Sequence, residues 1–240
     1  MIPIILALTA FTASLTGGMV ALKNQKQLYR LLGLTAGIVM GVVVFGLLPE
    51  IAELSQGTHH IRLAMVALMT GFLAFHIIEK TILISHNDES QYGAHHHPHV
   101  GRASALALAG HSLLDGIGIG LAFQTNSMVG VAVAIAVVAH SFSDGMNTVN
   151  LMLMHKNHRT NAIRMLVVDA LAPVVGVLLS YLMKPSETLT LYFLAFFAGF
   201  LLYIAASEIL PEAHSKRSSY RTIGLTVLGA TLMYFVTQLA

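Results

Sequence analysis

Almost the whole chain is divided into apolar runs of about twenty residues, the length a helix needs to cross the hydrocarbon of a bilayer. Eight can be marked, at roughly 2–22, 31–52, 62–84, 101–123, 128–154, 161–183, 188–210 and 220–239, leaving too little between them for a further domain. Inside lipid every backbone N–H and C=O must be satisfied within the segment, so runs of this kind can only be helices. Composition agrees, with 55% hydrophobic and 10% charged residues where a soluble domain carries about 25% charged. The expected fold is therefore all-α, a polytopic membrane protein whose residues 1–240 form a single transmembrane domain.

The basic residues orient the runs. Taken alternately from the first, one set of connecting segments holds Lys23, Lys26, Arg30, Lys80, Arg102, Lys156, Arg159, Arg164, Lys216, Arg217 and Arg221, and the other set only Arg62 and Lys184. Cytoplasmic connections are the ones rich in Lys and Arg. The bias predicts eight spans with both termini on the outer side, in a multi-pass protein of the plasma, or inner, membrane. Met1-Ile2-Pro3-Ile4 carries no basic leader, so the first run is expected to be a retained span and not a cleaved signal. The chain has no cysteine and a formal net charge of +2. Thiolate ligation is thus excluded, and the spread of the basic residues argues against a nucleic-acid partner.

Two further patterns stand out. The third connection, about 85–102, contains His86, His95, His96, His97 and His99, a composition suited to flexible metal collection as well as to a plain solvated loop. The end of the second span, Gly46-Leu47-Leu48-Pro49-Glu50, is echoed at the end of the seventh by Glu208-Ile209-Leu210-Pro211-Glu212. These two spans run in opposite directions, the mark of the inverted repeats that transporters use.

At the centre of that symmetry lie two copies of one phrase, Gly110-His-Ser-Leu-Leu-Asp-Gly116 and Ala139-His-Ser-Phe-Ser-Asp-Gly145. Each sets a histidine four residues before an aspartate, on one helix face. Ionisable groups within a span cost about 2.5–3.5 kcal/mol or more each and mark function. Spans four and five are joined by only Gln124 to Ser127, so they should be antiparallel neighbours, with His111 level with Asp144 and Asp115 level with His140. The span limits leave the phrase midpoints, Leu113 and Phe142, about 9 Å apart in height. Two imidazoles and two carboxylates suit tetrahedral Zn²⁺, or Fe²⁺, Mn²⁺ or Cd²⁺ with water added. The plainer alternative is a pair of buried His-Asp hydrogen bonds holding helices together. Auxiliary candidates are Ser112 and Ser141, next to the histidines; Asn147, on the same face as His140; and Asp169, an intramembrane carboxylate near Pro173. Thr9, Thr12 and Thr16 share a stripe of the first span.

Together these features resemble the Zrt/Irt-like, or ZIP, family of divalent metal transporters along almost the whole chain. The marks are eight spans with outer termini, the His-rich third connection, the two Leu-Pro-Glu ends, the His-x-x-x-Asp-Gly phrases, and Gly199-Phe-Leu-Leu-Tyr-Ile204 in span seven. The resemblance implies transport of Zn²⁺ or a related ion toward the cytoplasm, with spans one, four, five and six moving against the other four. The metal is then substrate and no cofactor is expected. It also implies a main site of His111, Asp115, His140 and Asp144. Family members commonly carry asparagine where Ser112 stands, often a further ligand where Ser141 stands, usually glutamate at Asp144 and often glutamate at Ala172. These departures favour one metal position over two. The expected partners are the ion and the bilayer, with a homodimer left open. Two rival readings remain at this stage: an intramembrane zinc-dependent hydrolase using Ser112, Ser141 or Ser143, and a proton- or sodium-coupled carrier without a metal substrate.

Overall fold

The structure is a computed structural model describing residues 1–23, 29–58, 60–90, 98–184, 186–215 and 219–238. Among these residues there is no strand, and the helices are α1 (Ile2–Lys23), α2 (Tyr29–Gly41), α3 (Leu48–Thr58), α4 (Ile61–Ser90), α5 (Pro98–Thr125), α6 (Ser127–Met154), α7 (Arg159–Ser180), α8 (Glu187–Tyr203), α9 (Leu210–Ser215) and α10 (Tyr220–Gln238). Seven helical stretches among the described residues are long and apolar enough to cross a membrane. The eighth expected span coincides with α10, which has the length but is too polar to join them. Arg221, Thr222, Thr226, Thr231, Thr237 and Gln238 dilute its apolar residues.

Two segments depart from α geometry at matching places. Val42–Leu47 and Ile204–Ile209 are π-helical, and each runs directly into the Leu-Pro-Glu of the sequence echo, at the junctions with α3 and α9. Proline explains the location. It has no N–H to give to the carbonyl four residues back, and its ring crowds that carbonyl. The helix widens by one residue, so that the Leu48 N–H donates to Val43 O and the Leu210 N–H to Ala205 O. In the third connection, expected as a loop over 85–102, helix takes up both flanks: α4 continues to Ser90 and α5 starts at Pro98. A proline fits the first turn of a helix, where the missing donor costs nothing. His95, His96 and His97 lie outside the described residues. His86 and His99 fall on α4 and α5, and their side chains are likewise outside what is described.

In lipid no hydrophobic force drives helices together, and close backbone approach through small residues takes its place. Four helix pairs use it reciprocally. Gly17 of α1 abuts the Phe142 carbonyl of α6 while Gly145 abuts the Ser14 carbonyl; Gly116 of α5 meets Pro173 of α7 while Gly176 meets Leu113. Gly71 and Gly199 do the same between α4 and α8, and Gly37 and Gly229 between α2 and α10. A methyl group at any of these glycines would overlap a backbone atom. The helices sort by packing into two groups, one of α1, α5, α6 and α7 and the other of α2, α3, α4, α8, α9 and α10. The main apolar core, with Leu47, Val133, Phe197 and Phe200, bridges them. Apolar side chains on the outer faces of α1, α4, α7 and α10, among them Leu8, Ile77, Val168 and Phe235, are exposed, as a lipid-facing belt requires.

Candidate metal centre

A single residue, Asn126, separates α5 from α6, and its side chain caps α6 by accepting from the Met128 N–H at 2.9 Å. The turn is tighter than the expected four-residue link. Leu113 precedes Asn126 by 13 residues and Phe142 follows it by 16, an offset of about 4.5 Å at 1.5 Å per residue, half the value the broader span limits gave.

The two phrases therefore meet. His140 Nε2 lies 3.1 Å from Asp115 Oδ2 and 3.7 Å from Asp144 Oδ2, and His111 Nε2 lies 3.3 Å from Asp115 Oδ2. One ligand atom from each of His111, Asp115, His140 and Asp144 falls within 4.8 Å of the others, and all four residues are buried. The His140 ring shows what such a cage calls for. Its Nδ1 is 2.8 Å from Ala136 O; a carbonyl can only accept, so Nδ1 carries the proton. In the neutral ring Nε2 then presents a lone pair, and so does the Asp115 oxygen facing it. Two acceptors at 3.1 Å repel unless a cation or an extra proton lies between them. Asp115 Oδ1 also has no hydrogen-bond partner among the described residues. The His111 ring is held edge-on against Phe200 and Phe75, with centroids 4.7 and 5.9 Å away.

A family model described as "ZIP Zinc transporter" matches residues 88–237, well over half of the chain and the whole of this cage. The chain belongs to the ZIP zinc transporter family. Two relatives are "Zinc transporter YKE4" of Saccharomyces cerevisiae, 26% identical over 210 residues, and "Zinc transporter zipt-7.2" of Caenorhabditis elegans, 23% identical over 134. The matches cover 76% and 52% of this ZIP chain, and the chain spans 60% and 29% of the length of those relatives. The family is one of membrane transporters whose substrate is a metal ion, and not of enzymes.

Around the cage this ZIP chain disposes its auxiliary candidates in a way the spacing did not predict. Asp169 is buried but stands outside the four-residue group. Its Oδ1 accepts from Ser112 Oγ at 2.8 Å and its Oδ2 from Ser14 Oγ at 2.9 Å, tying α7 to α5 and α1. Ser141 Oγ turns back to donate to Val137 O at 2.7 Å. Asn147 is half-buried one turn beyond Asp144. Thr9, Thr12 and Thr16 donate to backbone carbonyls of their own helix and are exposed on it. Ser14 and Phe75 were missed by sequence reasoning, and no spacing or composition signal in one sequence marks them, while Phe200 entered only as part of the Gly199–Ile204 motif with no role assigned.

Proposed function

We propose that this chain carries a divalent transition-metal ion, Zn²⁺ first and Fe²⁺, Mn²⁺ or Cd²⁺ next, across the membrane toward the cytoplasm through the His111, Asp115, His140 and Asp144 cage. The observation that carries the reading is the pair of facing acceptors, His140 Nε2 and Asp115 Oδ2, inside a closed set of four groups with metal-ligand chemistry. Nitrogen and carboxylate donors in equal number fit a tetrahedral ion, and the ion would neutralise both aspartates where lipid makes charge expensive. Ser112 and Ser141 are engaged elsewhere, which supports one ion position over an adjacent pair.

The whole chain acts in this reading as one domain of eight spans, α10 supplying the last, with outer termini in the plasma membrane. The α1, α5, α6 and α7 group moves against the remaining helices to expose the cage to either side in turn. The histidines of 86–99 collect the ion without being required for passage. The partners are the ion, the bilayer and, in a homodimer, a second copy of the chain.

The test is ion uptake into proteoliposomes by the intact chain and by His111→Ala and Asp144→Ala. Both variants should lose most uptake of Zn²⁺, and wild-type uptake in either would place the pathway elsewhere. Chelator-stripped protein should regain about one Zn²⁺ per chain. Zinc at 100 times its dissociation constant should raise stability by about 2.7 kcal/mol, read as a higher unfolding temperature. No zinc-dependent shift would favour a carrier without a metal substrate.

A further inference from the structure

The cage has two unlike sides. Beyond it toward the end of α5 and the start of α6, the positions continuing its face are Gly118, Ile119 and Ala122 on one helix and Val133, Ala136 and Val137 on the other, all buried. The Phe197 ring closes on Gly118, and Phe197 packs on Phe200. This side is dry. In the opposite direction the same face carries Ser104, two turns before His111, and Asn147 and Thr148, one turn after Asp144. Ala107, Leu108, Asn147 and Leu151 there are only half-buried.

Ser104 and Thr148, together with Ser143 beside Asp144, differ from most of the described hydroxyls of this chain. Ser55, Thr70 and Ser141 each donate to the carbonyl four residues back, as helical Ser and Thr commonly do. Ser104 Oγ and Thr148 Oγ1 are buried, at 5 and 0% residue exposure, and neither has a hydrogen-bond partner among the described residues. A hydroxyl left so in dry surroundings costs about 1–3 kcal/mol. Two of them on one side of the cage, on the face that also carries an asparagine and half-buried positions, are groups that water would satisfy.

We propose that a hydrated lane runs from the cage toward the end of the bundle where α5 begins and α6 ends, and that Ser104, Thr148 and Asn147 receive the divalent ion there with its water shell in place. This rests on the cage reading above and adds a second, outer-sphere station to it. Hydroxyls and an amide are weak ligands for a bare transition ion but good partners for its bound waters. The ion is held by stripped contacts in the cage and by its hydration shell one or two turns away, so it leaves without a deep second trap.

The chain has no cysteine, so Ser104→Cys, Thr148→Cys, Ala122→Cys and Ala136→Cys each carry one thiol. In monodisperse detergent-solubilised protein a charged methanethiosulfonate should modify the first two at least about tenfold faster than the last two, since thiols in apolar surroundings are inert. Equal rates would mean a dry lane and overturn the proposal. In proteoliposomes the double variant Ser104→Ala, Thr148→Val should take up Zn²⁺ several-fold more slowly with unchanged bound zinc, and Ser104→Ala with Thr148→Ser should recover part of the rate. Unchanged uptake in the Ala/Val variant would remove the station. Failure of the cage reading is seen separately, as full zinc binding by His111→Ala with the thiol rates unaltered.

Discussion

Asp169 shows how a buried carboxylate can stand outside the four-residue His/Asp group and be held by hydroxyls instead. Both its oxygens are taken by hydroxyls, Ser112 from α5 and Ser14 from α1. Asp169→Ala would leave both hydroxyls buried without that acceptor, at about 1–3 kcal/mol for each. The expected outcome is a clearly lower unfolding temperature in detergent with bound zinc per chain unchanged, whereas a ligand role would lower the zinc. The cage itself was legible in the sequence because i,i+4 spacing fixes a helix face and a short link fixes the neighbour. The Asp169 partners were not. Ser14 lies 155 residues away in sequence, and nothing about a lone serine in an apolar run says which carboxylate it will meet.

At the scale of elements, the paired π segments convert a sequence echo into matching geometry. The Leu-Pro-Glu repeats were readable as symmetry, but a proline can kink, end or widen a helix, and packing decides which. Here the result is widening in both spans, each time in a segment that ends two residues before the proline. Pro49→Ala or Pro211→Ala restores an N–H and removes the ring. Either should stabilise its span by up to about 3 kcal/mol, and if the widened turns serve motion, should slow uptake. Parallel thermal unfolding and zinc-flux measurements check this, and a variant that is both more stable and as fast as the intact chain would deprive the turns of that role. Helix ends were read less well, because the charged residues at 85–90 do not stop α4, which continues to Ser90.

For the molecule as a whole, the apolar runs were legible as helices, while the division into two packed groups depends on glycine contacts that no single span reveals. The groups meet at Gly46 and α6, where a Cβ on Gly46 would lie 3.7 Å from the Ala132 Cβ, within the range of about 3.5–4.5 Å that a disulfide requires. Gly46→Cys with Ala132→Cys, in a chain otherwise free of cysteine, should give a transporter that stops on oxidation and resumes on reduction. Full flux in the oxidised, cross-linked form would mean that the groups do not move apart at this contact. The one-residue turn at Asn126 has a consequence of a different kind. It ties the two halves of the cage together so closely that neither helix can slide along the other. In the proposed transport cycle a passenger ion would ride in a vessel whose shape is fixed for the whole crossing, and discrimination between zinc and its competitors would fall at boarding, when water is shed, with no later checkpoint to correct it.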